Sequence, residues 1–180
     1  MLRNTALCIL LLSILLLIGC GRAREAGQAV QAGRQLQQSG ETTIKTDEGE
    51  VQIKTDKAGE QATITVEGES GEKHSVTVGA DLDTSELSLA IYPGATKEHG
   101  QVTTTDQGKH LSFVFTTTDS FEKVADFYKS KYSDANISDM KMPDARLLNI
   151  LVAEPPNMTS VAVQQADDED QVSIILIEQK

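Results

Sequence analysis

The sequence predicts an α+β fold: a mainly antiparallel sheet with one amphipathic helix in the order β-β-α-β-β-β, preceded by a small β-meander. Two observations carry that expectation. Short runs alternate apolar and polar residues between glycines, which is the period of a half-buried strand, and a single stretch near residues 120–132 has helical spacing instead. Aromatic residues make up 4% of the 180 residues and Trp is absent, so the core has to be built from Val, Ile, Leu and Ala.

The N-terminus comes first. Arg3 and the amino group precede the apolar run ALCILLLSILLLI over residues 6–18. As a helix that run spans roughly 20 Å, short of the ~30 Å hydrocarbon core of a bilayer. It reads as the core of a signal peptide over residues 1–19. The run ends in Leu17-Ile18-Gly19-Cys20, a small residue and then a cysteine directly after the apolar segment.

That ending resembles the lipobox of bacterial lipoproteins. The resemblance implies a diacylglyceryl group on the Cys20 thiol, recognition by signal peptidase II through Leu17, Ile18 and Gly19, cleavage before Cys20, and acylation of the new amino group by a fatty acid such as palmitate. Two acyl chains suffice physically, because each buried CH₂ contributes about 0.8 kcal/mol and a single chain binds only marginally. Residue 21 is Gly, where many Gram-negative lipoproteins held in the inner membrane have Asp. By the same resemblance, the outer membrane is the expected destination in a cell that has one. The competing reading is an ordinary secretory signal with an incidental cysteine, or a short uncleaved anchor.

Charge restricts the partners. The formal net charge is -11, and removing Arg3 with residues 1–19 leaves 15 Lys+Arg against 27 Asp+Glu, a net of -12. There is no basic stripe to displace phosphate counterions, so nucleic acid is not an expected partner. Attraction to anionic head groups is excluded for the same reason. Membrane attachment is therefore expected through the lipid on Cys20. Cys8 falls within residues 1–19, so Cys20 is the one cysteine of the expected mature chain and no intramolecular disulfide can form.

Residues 20–41 are rich in Gln, Gly and Ala and have Val30 and Leu36 as their only large apolar side chains. Such a segment reads as a lipid-anchored flexible tether. In residues 42–80, TIKTD at 43–47 recurs as QIKTD at 52–56 across Glu48-Gly49, a hairpin signal. Alternation continues through Ile64 and Val66 and then Val76 and Val78. Each of these four strands has one thin apolar face, so the meander is expected to lie against the domain that follows.

That domain covers residues 81–180. Pro93-Gly94 occupies the centre of a type II turn pattern, and strands follow at 102–105 and 111–116. Asp119 with Glu122 suggests a capping box, and Phe121, Val124, Ala125, Tyr128 and Tyr132 form a helical stripe best read as core. Residues 146–153 are apolar on both faces, as in a central strand. A terminal hairpin pairs Val161 and Val163 with 172–177. Tyr92-Pro93-Gly94-Ala95 together with Phe127-Tyr128 resembles a module of uncharacterised bacterial envelope proteins. The resemblance implies an α+β fold and an envelope setting, and no known activity.

Chemistry is sparse. His74, His99 and His110 lack the spacing that places two nitrogens on one metal. Asp167-Asp168-Glu169-Asp170 lacks the alternating ligands and the glycine of a calcium loop, and reads as a solvated hairpin tip. No nucleophile motif, phosphate loop or dinucleotide turn occurs, so neither a metal nor a cofactor is expected. The preferred reading is a non-enzymatic, membrane-anchored interaction or binding module that docks a protein or polymer of the envelope. One alternative is a hydrolase or ligand-processing enzyme using carboxylates such as Glu98, Asp106 or Asp119. Another is a structural envelope component.

Overall fold

Alternating β-branched residues set most of this chain in extended strands. The computed structural model describes residues 40–46, 49–56, 60–68, 70–153, 157–166 and 168–180. Four strands come first: β1 (Glu41–Thr46), β2 (Gly49–Thr55), β3 (Gln61–Gly68) and β4 (Lys73–Gly79). Next are β5 (Thr96–Thr105) and β6 (Gly108–Thr117), then helix α1 (Phe121–Lys131). The chain ends with β7 (Asn136–Lys141), β8 (Ala145–Ala153), β9 (Thr159–Ala166) and β10 (Val172–Gln179).

All ten strands belong to one sheet, ordered β1-β2-β3-β4-β5-β6-β10-β9-β8-β7, and every neighbouring pair is antiparallel. The expected α+β class is therefore corrected. The protein is mostly β, with one helix of 11 residues among the described residues. The expected order also lacked a strand. β7 went unread because its sequence, NISDMK, has Ile137 as its only partly buried apolar residue, which is what the edge of a sheet requires.

The meander does not pack against the rest of the molecule. It continues the same sheet edge to edge, with Val76 opposite Thr103 and Thr77 opposite Val102. Residues 146–153 do form an interior strand, β8, paired with β9 and β7, but they are buried on one face only: Leu148 and Ile150 are enclosed, whereas Leu147 and Leu151 are half-buried and Asn149 is exposed.

The core lies on one face, called here the front. Phe113, Leu176, Val161 and Ile150 form one cross-strand row, and Phe115, Ile174, Val163 and Leu148 form the next. These eight are buried together with Phe121, Val124, Ala125 and Tyr128 of α1. The helix stripe is thus core, as its spacing implied. Burying a large aliphatic or aromatic side chain contributes about 1.5–3 kcal/mol, so these rows dominate the stability of the fold.

The start of α1 differs from the expected capping box. Ser120, not Asp119, is the N-cap, and its Oγ accepts from the Lys123 N–H at 3.4 Å. Two contacts hold α1 down on the last strands. Arg146 of β8 pairs with Glu122 and lies 4.2 Å over the Phe121 ring, and Lys129 pairs with Asp139 of β7 at 2.6 Å.

Gly100 of β5 faces the Phe113 ring, and a Cβ added there would stand 2.5 Å from two ring carbons. Gly100→Ala is expected to destabilise the protein by about 1–3 kcal/mol, because Phe113 is fully enclosed and cannot move aside. A urea midpoint equal to that of the wild type would show that the ring has room after all.

Candidate functional site

The segment between β4 and β5 crosses the front and is fastened to α1 by aromatic side chains. The Ala95 N–H donates to the Tyr92 carbonyl at 3.1 Å, and Gly94 has φ +82°, the positive value that a type II turn requires. The turn aims Tyr92 inward, where its ring meets Phe127 edge-on at 5.2 Å and its hydroxyl donates to Asp119 at 2.7 Å. Phe127 is edge-on to Tyr128 at 5.0 Å, and Tyr128 stacks with Tyr132 at 6.4 Å. The Tyr132 hydroxyl accepts from the Ala90 N–H at 2.8 Å. The two short motifs, Tyr92-Pro93-Gly94-Ala95 and Phe127-Tyr128, therefore meet in space and act as a clasp.

Electrostatics in the clasp favour structure over proton transfer. The Lys123 ammonium, 2.9 Å away, and the Tyr92 hydroxyl hold the Asp119 carboxyl below its usual range. Burial, and then Asp119 itself, push the Tyr92 phenol up. Both shifts move the groups away from neutral pH, the opposite of what a general acid or base needs.

Asp119 and Glu98 make separate hydrogen bonds, the first to Tyr92 and Lys123, the second to Thr116. Glu98 sits at the bulge in β5 and accepts from the Thr116 hydroxyl at 2.8 Å, near the end of β6. Asp106 lies in the turn at the opposite end, between Thr105 and Gly108. Ten strand residues at ~3.3 Å each put roughly 30 Å between these two ends.

Of the acidic run, Asp168, Glu169 and Asp170 are exposed in the turn before β10, and Asp167 lies outside the described residues. So do Leu17, Ile18, Gly19 and Cys20. Among the described residues no three His, Cys, Asp or Glu side chains gather where they could hold a metal ion. No described helix is long and apolar enough to cross a membrane.

Glu178 stands apart as a carboxylate inside the core face. It is 4% exposed and lies opposite Leu111. Burial raises its pKa, but the Ser88 N–H at 2.7 Å and the Lys180 ammonium at 3.2 Å outweigh that, so the net shift is downward. It ties the crossing segment to β10.

The feature with the clearest capacity for recognition is the back of the sheet. Residues directly opposite in an antiparallel ladder share a face, so the register assigns every strand position. One back row runs Thr42, Ile53, Ile64, Val76, Thr103, His110, Gln179. A second joins Ile44, Val51, Val66 and His74, and a third joins His99, Val114, Ile175, Ala162 and Asn149. By the same register Lys45, Glu50, Lys54, Glu67, Lys73, Lys97, Lys109, Asp139, Lys141, Arg146 and Glu178 all lie on the front. The bulge residue Glu98 aside, no Asp, Glu, Lys or Arg of the ten strands is on the back.

Among the described residues, no helix lies over that face. Helix α1 and the buried residues of the crossing segment, Leu82, Leu89 and Tyr92, belong to the front core. On the back, Val66 is 39% exposed, and Ile44, Val51, Ile64, Val76, Val78, Val114, Ile175 and Ile177 are half-buried, while Thr42, Ile53 and Ala62 are enclosed. Sequence reading found the thin apolar stripes but not this face, because nothing local tells which side of a strand the helix will cover. All three histidines, expected as isolated side chains, lie on it.

Comparison with protein-family models, with curated proteins and with solved structures returned no match.

Two outcomes are expected for the fastened segment. Tyr92→Phe loses the bond to Asp119 and should cost about 1 kcal/mol in chemical denaturation, and no loss would show the clasp to be held by ring packing alone. For Glu178, a lowered folded-state pKa means stabilisation that is present above its unfolded value of about 4.3 and lost as pH falls through the folded value. The stability gap between wild type and Glu178→Gln should therefore shrink from about pH 6 to about pH 3, and a gap independent of pH would refute the assignment.

Proposed function

We propose that this chain is a non-enzymatic docking protein of the bacterial envelope, tethered by lipid on Cys20 and presenting the back of its sheet to a partner. The charge-poor back face carries this reading. In a chain of net charge -11, the charges of all ten strands lie on the front, apart from Glu98 at the β5 bulge. The Ile and Val side chains of the meander and those of β6 and β10 make two apolar patches on that face, with the polar back of β5 between them, and exposed apolar patches on a folded protein mark interaction sites. The anchor motif Leu17-Ile18-Gly19-Cys20 supports a membrane setting, and residues 21–39 supply a spacer between lipid and sheet. The dispersed carboxylates and the clasp's divergent pKa shifts count against the hydrolase reading.

Two measurements test the proposal. Intact mass spectrometry of the membrane fraction should find residues 20–180 plus lipid, and Cys20→Ala should abolish that species. An unmodified or uncleaved chain would overturn the anchor. A photo-crosslinking residue placed at position 66 should form adducts in intact cells, whereas one at Thr65, on the front, should not. Equal labelling from both positions, or none from position 66, would overturn the docking face.

A further inference from the structure

Resting on that docking reading, we infer that the occupant of the back face is a second copy of this chain, laid face to face to make a two-layer sandwich.

Charge is the first argument. Apart from Glu98 at the β5 bulge, the strand positions of this face carry no Asp, Glu, Lys or Arg, so it has little to pair with a charged protein or polymer, but it is complementary to itself. Its rows of Ile and Val with Thr, Ser and Gln between them are the pattern that sheets bury when they stack. The net charge of -11 does not oppose this. Stacked sheets lie about 10 Å apart, and the front charges add their own distance beyond each sheet, so the two sets are separated by more than the ~8 Å Debye length.

Area is the second argument. Ten strands of 6 to 10 residues make a face of roughly 45 Å by 23 Å, on the order of 1,000 Å², from the usual strand spacing and rise. Twist keeps two such sheets from matching over their full width. Overlap of about 60% of the face or more would bury on the order of 1,200–2,000 Å² in total, the size of stable interfaces. Thr42, Ile53 and Ala62 are already enclosed, so the contact falls to Ile64, Val66, Val76, Val78, Val114, Ile175 and Ile177. A two-fold axis makes the same patch serve both copies. Tethering to one leaflet raises their effective concentration.

Sedimentation of the secreted full-length Cys20→Ser chain tests this without depending on the lipid anchor. The wild-type face should give twice the monomer mass at micromolar concentration. Ile64→Lys and Val66→Lys should each weaken the dimer at least tenfold, while Thr65→Lys, one residue away on the front, should not. Val66 is already 39% exposed, so its lysine variant keeps the test valid if Ile64→Lys fails to fold, with circular dichroism as the check. A monomeric wild type would overturn the inference, whether the face is then covered by residues 20–39 or by another protein. So would a dimer that tolerates both back-face lysines. Position-66 adducts with a different envelope component would overturn the second copy and leave the docking face standing.

Discussion

Register parity across an unbroken antiparallel ladder is the constraint on which this structure depends. Helix α1 packs on Leu148, Ile150, Val161 and Val163, which makes that side of β8 and β9 the inside. Opposed residues share a face, so the choice passes through β10 and β6 to β5 and the meander. Leu111 stands opposite Val102, and Val102 opposite Thr77. The polar side of the meander is thereby turned to the front, and its Ile and Val side to the back. A slip of one residue at β4–β5 would invert the arrangement.

The front then needs more than one helix. The helix lies against β8 and β9, and the crossing segment supplies Leu82, Leu89 and Tyr92 to the same core. Its polar ends are anchored at Glu178, Asp119 and Tyr132, each at 2.7–2.8 Å from its partner. Lys97 of β5 also donates to the Leu82 carbonyl. The aromatic cluster that looked like a family motif serves this anchoring.

Much of the local structure was legible. The meander strands, the Pro93-Gly94 reversal, the α1 stripe and the β9–β10 hairpin follow from periods and turn residues that a short window contains. What failed was of two kinds. β7 is an edge strand in which Ile137 is the only partly buried apolar residue, so its alternation is almost absent. The N-cap fell one residue late because Asp119 is drawn away by Tyr92 and Lys123, leaving Ser120 to cap. The first is a missing local signal, and the second is a competing partner outweighing a local preference. As to the candidate site, its apolar stripes were visible at Ile64, Val66, Val76 and Val78, but that they share a face of one sheet with Val114 and Ile175 was not.

The sequence by itself determined where the meander strands, α1 and the terminal hairpin fall, the apolar run ending in Leu17-Ile18-Gly19-Cys20, and a net charge of -11. Those are properties of composition and of contacts a few residues apart. Only the tertiary structure decided that the meander and the C-terminal strands are one sheet, and that a helix joining β6 to the far edge covers one side and leaves the strand charges, Glu98 apart, on that same side. Alternation with period two says that a strand has two unlike faces. Which face is inside depends on pairings and a crossover up to tens of residues away in the chain, and no local pattern encodes them.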